Sequence, residues 1–145
     1  MSIYEDPLEE AIGKDSVKPK PWRQRMIYFQ RVAGGFMMVK GLIGWAIICG
    51  LPLGTPFVLM RMHAQAWTIF FAVIDVVAGV ALWLGSAWGA TLWLVVVATQ
   101  VSADIVFSEL AGLLVLMTLL EVVLVAGYVF MRFKVYEEDK IPGGY

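Results

Sequence analysis

The sequence predicts an all-α, polytopic membrane protein: a bundle of four transmembrane helices with a tight hairpin between the second and the third. The chain of 145 residues is 60% hydrophobic and 16% charged, which leaves too little polar surface to cover a soluble domain of this size. Its apolar residues form four stretches that each approach the ~20 residues needed to cross a bilayer. Its basic side chains crowd in front of the first stretch, as they do on the cytoplasmic side of membrane proteins.

The four spans are predicted at residues 32–53, 66–84, 87–107 and 110–131. The apolar region that holds the second and third spans is about twice the length of one crossing, so it must contain a break. Gly85 and Ser86 interrupt it, and glycine adopts the backbone angles that a helix-to-helix turn needs. A helix-dimerisation motif formed by Gly85 and Gly89 is the alternative, but it leaves the length of the region unexplained.

Three tryptophans are predicted to anchor the chain at the membrane interfaces, where indole rings lie between lipid tails and headgroups. Trp83 and Trp88 flank the predicted turn, and Trp22 lies in the basic segment KPKPWRQR, residues 18–25. That segment has two interpretations: it only orients the first span, or it lies against anionic headgroups. Trp93, inside the third span, is expected within reach of the headgroup zone.

Charge asymmetry predicts the orientation of the chain. The bases before the first span are Lys14, Lys18, Lys20, Arg23, Arg25 and Arg31. The connection 54–65 carries only Arg61, so the N-terminus is predicted to be cytoplasmic, and an even number of spans returns the C-terminus to the same side. The chain then divides into a polar, basic arm (1–28) that lacks the apolar core of a secretory leader, a four-helix transmembrane domain (29–132) and a short tail (133–145), of which residues 136–145 are expected to be mobile.

Three ionisable side chains are predicted to lie near mid-membrane: Lys40 in the first span, Asp75 in the second and Glu121 in the fourth. Each costs about 2.5–3.5 kcal/mol at a span centre, so none is expected to face lipid. Counting along the alternating spans at ~1.5 Å per residue places them at one level, where they can meet in the bundle centre. One base cannot neutralise two acids, so either one acid is protonated or it accepts a hydrogen bond from another donor such as Trp or Thr. Asp104, with Gln100 one turn before it on the same face, is predicted to reach the outer headgroups or water.

Small and polar side chains recur at helical spacing around these charged residues. The predicted stripes are Ala33, Met37, Lys40 and Gly44 in the first span, Thr68, Ala72, Asp75 and Gly79 in the second, and Leu114, Thr118, Glu121 and Val125 in the fourth. They are expected to face one another, because small residues let membrane helices approach closely. Two roles for the charges stay open: a proton or ion route, or a charge-paired polar core that fixes the register of the helices.

No catalytic, cofactor or metal site is predicted. The chain has one cysteine, Cys49, and one histidine, His63, so it can assemble neither an intrachain disulfide nor a zinc or haem cluster. It has no nucleophile beside a base and no glycine-rich phosphate loop, and therefore no enzyme activity is predicted. The expected partners are the lipid bilayer and another membrane protein or further copies of the chain, and no nucleic acid.

Two segments, FQRVAGGFMMVKGLIGWAIICG (29–50) and FFAVIDVVAGVALWLGSAWGATLWL (70–94), resemble an uncharacterised family of small alphaproteobacterial membrane proteins, a domain of unknown function. The resemblance covers residues 29–131 and implies four helices in a bacterial inner membrane, with no known activity. The sequence thus predicts a non-enzymatic accessory, assembly or scaffolding element of a membrane complex. The alternative is a small oligomeric ion- or proton-coupled transporter or channel that uses Lys40, Asp75 and Glu121.

Overall fold

Four long helices make up most of the described structure, a computed structural model that describes residues 21–107 and 112–140. In chain order they are α1 (Pro21–Ile48), α2 (Met62–Trp83), α3 (Gly89–Phe107) and α4 (Gly112–Lys140), with one 3₁₀ turn at Phe57–Leu59 between α1 and α2. All four helices are long and apolar enough to cross a membrane, and the described residues contain no strand. The predicted all-α class with four membrane-length helices is confirmed.

The first and last helices extend beyond the spans predicted from hydropathy. α1 begins at Pro21 instead of Val32, and α4 continues to Lys140 instead of ending at Met131. Proline is favoured at the first position of a helix, where its missing N–H breaks no hydrogen bond. Hydropathy marks where a helix crosses lipid, whereas polar residues can continue the same helix into water.

Contacts between neighbouring turns stabilise both helical extensions. In α1 the Arg25 guanidinium lies over the Trp22 ring, 4.9 Å from its centroid. In α4 Lys134 Nζ lies 2.9 Å from Glu137 Oε2 at i,i+3 spacing. Residues 136–140, which were expected to be mobile, are the last residues of α4. The rest of the predicted arm (1–20), the end of the tail (141–145) and the link 108–111 lie outside the described residues.

Glycine allows the closest approach in the bundle, which is between α1 and α2. A Cβ atom added to Gly34 would lie 2.7 Å from the Gly79 carbonyl oxygen and 2.9 Å from the Trp83 backbone nitrogen. Further along the pair, Gly44 packs in the same way against Ala72, where an added Cβ would lie 3.0 Å from the Ala72 Cβ. The two backbones therefore touch along this seam, which is how membrane helices gain packing energy without a hydrophobic drive between them.

The predicted stripes of small and polar residues do face the bundle interior. All four stripe residues of α1 and all four of α2 are buried. On α4, Thr118 and Glu121 are buried and Val125 is half-buried, while the side chain of Leu114 lies outside the described set. The stripe prediction is therefore confirmed wherever the side chains are described.

The turn between α2 and α3 is the predicted tight hairpin. Gly85 has a φ of +65°, and its N–H donates to the Leu82 carbonyl at 3.0 Å, while the Ser86 N–H donates to the Ala81 carbonyl at 3.1 Å. These two bonds form a Schellman cap, which satisfies the free carbonyls at a helix C-terminus. Gly89 then lets α3 start against α2, because a Cβ there would lie 2.6 Å from the Ala81 backbone. The GxxxG spacing thus supports close packing within one chain.

The largest cluster of buried apolar side chains lies at one end of the bundle. We name the end with residues 84–88 the turn side and the end with residues 49–61 the loop side. The apolar core on the turn side comprises Met26, Ala33, Met37, Ala78, Leu82, Ala90, Trp93, Val96, Val97, Tyr128 and Val135. Trp93, expected near the headgroups, is instead fully buried and meets Tyr128 edge-on at 85°, with 5.8 Å between ring centroids. That expectation is wrong because depth along a span does not determine which way a side chain points.

The other two tryptophans beside the turn point outward, as an interfacial anchor should. Trp83 and Trp88 are 49% and 58% exposed. Trp22 differs from them, since it is half-buried and packs against the apolar core. Its indole ring gives the first turn of α1 an apolar contact, which supports the helix there.

Candidate functional site

A buried lysine lies at the centre of the bundle. Lys40 is 3% exposed, on the face of α1 that also carries Met37 and Gly44. Its Nζ lies 2.7 Å from Glu121 Oε1 and 3.1 Å from Asp75 Oδ2. The structure therefore brings together, from three helices, the three ionisable residues that hydropathy counting placed at one level.

Gln100 completes the site from α3. Its side-chain Oε1 accepts a hydrogen bond from Lys40 Nζ, and its Nε2 donates to Thr118 Oγ1 at 3.2 Å. We name Lys40, Asp75, Gln100, Thr118 and Glu121 the charge cluster. Each of them is 5% exposed or less, so side chains from all four helices meet at one dehydrated point.

The position of Gln100 differs from the sequence prediction, which grouped it with Asp104 near the outer end of the third span. Gln100 is one helical turn deeper than Asp104, and that turn brings it level with Lys40. The depth count that placed the three charged residues would have placed Gln100 correctly too. A neutral amide carries no insertion penalty large enough to demand an explanation, and hydropathy therefore offered no reason to include Gln100 in the depth count.

The charge cluster holds more acceptors than donors. Lys40 offers one ammonium group to two carboxylates, and one oxygen of each carboxylate, Asp75 Oδ1 and Glu121 Oε2, has no hydrogen-bond partner among the described residues. A buried charge is costly unless it is paired and hydrogen-bonded. Further positive charge or further hydrogen-bond donors would therefore stabilise the two carboxylates.

A small cavity adjoins the charge cluster on the loop side. Its volume is about 40 Å³, enough for water, since one water molecule needs roughly 10–15 Å³ measured in this way. The lining side chains come from α1, α2 and α3, and they are Lys40, Gly44, Ile47, Trp67, Thr68, Phe71, Ala72, Asp75, Gln100 and Asp104. Beyond the charge cluster, the polar groups of the lining are Thr68, Asp104 and the indole N–H of Trp67.

Asp104 lies on this cavity. Its carboxylate is half-buried, Thr118 of α4 hydrogen-bonds to it, and its Oδ2 has no partner within the described chain. Asp104 thus extends the acidic side of the site from the charge cluster toward the loop side. The sequence had predicted that it reaches the outer headgroups or water.

The turn side of the charge cluster is apolar. One turn from Lys40 lies Met37, and one turn from Asp75 lies Ala78, both of them completely buried. Trp93 lies further toward the turn side on α3, two turns from Gln100, and is also completely buried. The site therefore adjoins a cavity on one side and packed hydrocarbon on the other.

The site consists of side chains that carry charge and exchange protons or hydrogen bonds. Within residues 21–107 and 112–140 there is no group of three or more His, Cys, Asp or Glu side chains placed to hold a metal ion. The residues that converge are carboxylates, an ammonium, an amide and a hydroxyl, which exchange protons and hydrogen bonds. The arrangement can hold helices in register and can bind a proton.

One comparison with known proteins gave a match. The profile described as "Family of unknown function (DUF6163)" matches residues 24–139, a range that takes in the charge cluster and almost all of the four helices. No curated protein and no solved structure matched the chain.

Proposed function

The chain belongs to the DUF6163 family of unknown function, and we propose that it is a non-enzymatic accessory, assembly or scaffolding element of a membrane complex. The protein is a multi-pass membrane protein with four membrane-length helices. The observation that carries the proposal is the closure of the charge cluster by the apolar core on the turn side. A conduit needs polar groups or water across its whole length, whereas a polar core that fixes helix register needs none.

The packing of the helices agrees with a role in assembly. The membrane-crossing part of α4 is 17% buried within the chain, against 33% to 44% for the other three helices. α4 contacts the bundle through the charge cluster, the Trp93–Tyr128 ring pair and the Phe29 ring, which lies against Gly127. A further membrane protein, or a second copy of the chain, would add to the small contact area of this helix.

The second candidate is a small oligomeric ion- or proton-coupled transporter. The loop-side cavity favours it, since the cavity leads to Lys40, Asp75 and Gln100. The carboxylate oxygens without partners in the described chain favour it too. In this alternative the charge cluster would be an ion- or proton-binding site along the transport route. The apolar core on the turn side would then have to open during transport.

The accessory proposal predicts two results for the full-length chain purified in a mild detergent. First, the tagged chain should retain one membrane protein at a constant molar ratio through size-exclusion chromatography. Second, vesicles that contain the purified chain alone should hold a pH gradient as long as protein-free vesicles, because the apolar core blocks passage. Together these results would support an accessory role.

A proton leak through such vesicles would overturn the accessory proposal if it disappears in Asp75→Asn. The matched control is Glu137→Gln, which removes a carboxylate whose side chain is 61% exposed and far along α4 from the charge cluster. A leak that survives both changes comes from the preparation and not from the site. Recovery of the chain with no partner, together with an Asp75-dependent leak, would establish the transporter alternative.

We also propose a bacterial inner-membrane location with both termini in the cytoplasm, which the basic residues before and within the start of α1 support. Cys49 is exposed at the loop-side end of α1, so a membrane-impermeant thiol reagent should label it from outside spheroplasts. In the Cys49→Ser, Ser86→Cys variant, the thiol lies in the hairpin turn and should be labelled only after the membrane is opened. Labelling of both positions from the same side would contradict the four-span topology.

A further inference from the structure

The loop-side cavity is lined by a buried aspartate, one of whose carboxylate oxygens has no hydrogen-bond partner in the described chain. Asp75 lines the cavity and is 1% exposed, and its Oδ1 has no hydrogen-bond partner among the described residues. Its other oxygen, Oδ2, lies 3.1 Å from Lys40 Nζ. A buried carboxylate normally satisfies both oxygens, and the cavity that Asp75 lines has room for water, which can donate hydrogen bonds.

The charges at the cavity and in the adjoining charge cluster do not balance. Lys40 of α1, Asp75 of α2 and Asp104 of α3 line the cavity, and Glu121 of α4 lies behind Lys40 in the charge cluster, so one ammonium faces three carboxylates. Lys40 lies closer to Glu121, at 2.7 Å, than to Asp75, at 3.1 Å. The carboxylate that the lysine compensates least within the cluster is therefore Asp75, and an uncompensated charge is costly at this depth.

We propose that the loop-side cavity is a proton-binding site whose acceptor is Asp75 Oδ1. The carboxylate takes a proton from a hydronium ion in the cavity and leaves a water molecule, and the reverse step returns the proton to water. Lys40 stays paired with Glu121 throughout. The protonated Asp75 then donates a hydrogen bond from Oδ1 to cavity water, while its Oδ2 still accepts from Lys40, and both oxygens are satisfied.

The proton enters and leaves on the same side. Asp104 lies at the loop-side part of the cavity, half-buried, and attracts positive charge toward it. On the turn side Met37 and Ala78 are completely buried, so no water reaches the charge cluster from there. Within residues 21–107 and 112–140 no group of three or more His, Cys, Asp or Glu side chains is placed to hold a metal ion, whereas a buried carboxylate oxygen without a partner can hold a proton. This inference goes beyond the proposed function, because it concerns occupancy of the cavity and holds with or without a partner.

Infrared spectroscopy of the full-length chain in lipid nanodiscs at neutral pH tests the proposal. We expect a C=O stretching band of a protonated carboxylic acid that shifts in D₂O and shifts again when aspartate is labelled with ¹³C at the side-chain carboxyl. The band should vanish in Asp75→Asn. The band should also be lost in Glu121→Gln, because Lys40 is then free to neutralise an ionised Asp75. If Asp75→Asn fails to fold, Glu121→Gln serves as the test variant in its place.

The matched control is Glu137→Gln, which removes an exposed carboxylate outside the cavity and should keep the band. Asp104→Asn removes the other cavity aspartate and shows which of the two carries the proton. The proposal is overturned if folded protein shows no such band. It is also overturned if the band responds to labelled glutamate instead of aspartate, or if it is lost in Asp104→Asn and kept in Asp75→Asn. Loss of a co-purified partner leaves the band unchanged, so failure of the accessory proposal is distinguishable from failure of this one.

Discussion

Replacing Lys40 by Met is expected to destabilise the protein by about 3–5 kcal/mol, the usual cost of removing one partner of a buried ion pair. The change leaves the Glu121 carboxylate without its 2.7 Å partner in a region that is completely buried. It also removes the donor to Gln100, whose side chain links α3 to the site. Unfolding of the purified chain in mild detergent, followed by circular dichroism, measures the loss, and a fall in expression should accompany it.

A second change should reverse much of that loss. In Lys40→Met, Glu121→Gln the stranded carboxylate is gone, and we expect most of the stability to return. Asp75→Asn in the same background should recover less, because Lys40 lies closer to Glu121 than to Asp75. The sequence left both acids open as the partner of Lys40, and the two contact distances now favour Glu121.

The matched control for Lys40 is Lys134→Met. Lys134 also forms an ion pair, with Glu137 at 2.9 Å, but the two side chains are 40% and 61% exposed. Exposed pairs contribute about 0–1 kcal/mol, so this variant should remain close to the parent in stability. If Lys40→Met were as stable as the parent, the charge cluster would not hold the bundle together, and the proposed structural role would be wrong.

Gly34→Ala is expected to destabilise the chain by about 1–3 kcal/mol, the typical cost of forcing an extra methyl group into a packed interior. The new Cβ would lie 2.7 Å from the Gly79 carbonyl oxygen and 2.9 Å from the Trp83 nitrogen. Both are backbone atoms, which cannot turn aside as a flexible side chain does. α1 and α2 would have to separate, and the strain would reach Lys40 and Asp75 further along the same pair.

The neighbouring glycine provides the control. A Cβ on Gly35 would meet only the edge of the Trp83 ring at 3.6 Å, an ordinary contact. Gly35→Ala should therefore be neutral or stabilising, since alanine is favoured over glycine in a helix by about 1 kcal/mol. Unfolding curves of the two variants in the same detergent give the comparison directly. Equal losses for Gly34→Ala and Gly35→Ala would show that close backbone contact does not hold α1 against α2.

Length and composition along the chain determined much of this protein. Four apolar stretches of membrane length predicted four helices, because a backbone in lipid must satisfy its hydrogen bonds internally. The apolar region that holds the second and third spans is too long for one crossing, and its excess length predicted the hairpin at Gly85. The cost of an ionisable group in lipid also predicted that Lys40, Asp75 and Glu121 lie inward, and counting along the spans placed them at one level.

The tertiary structure alone decided what each of these residues touches. Gln100 joins Lys40 while Asp104 lines the cavity, although both lie on one face of α3. Trp93 packs in the core, although its position near the end of a span suggested the interface. Sequence position measures depth in the membrane, but the rotation of each helix about its axis, and hence its neighbours, follows from how four surfaces pack together. Hydropathy marks only the part of a helix that crosses lipid, and so it did not predict the polar extensions at Pro21 and Lys140, which contacts between neighbouring turns support.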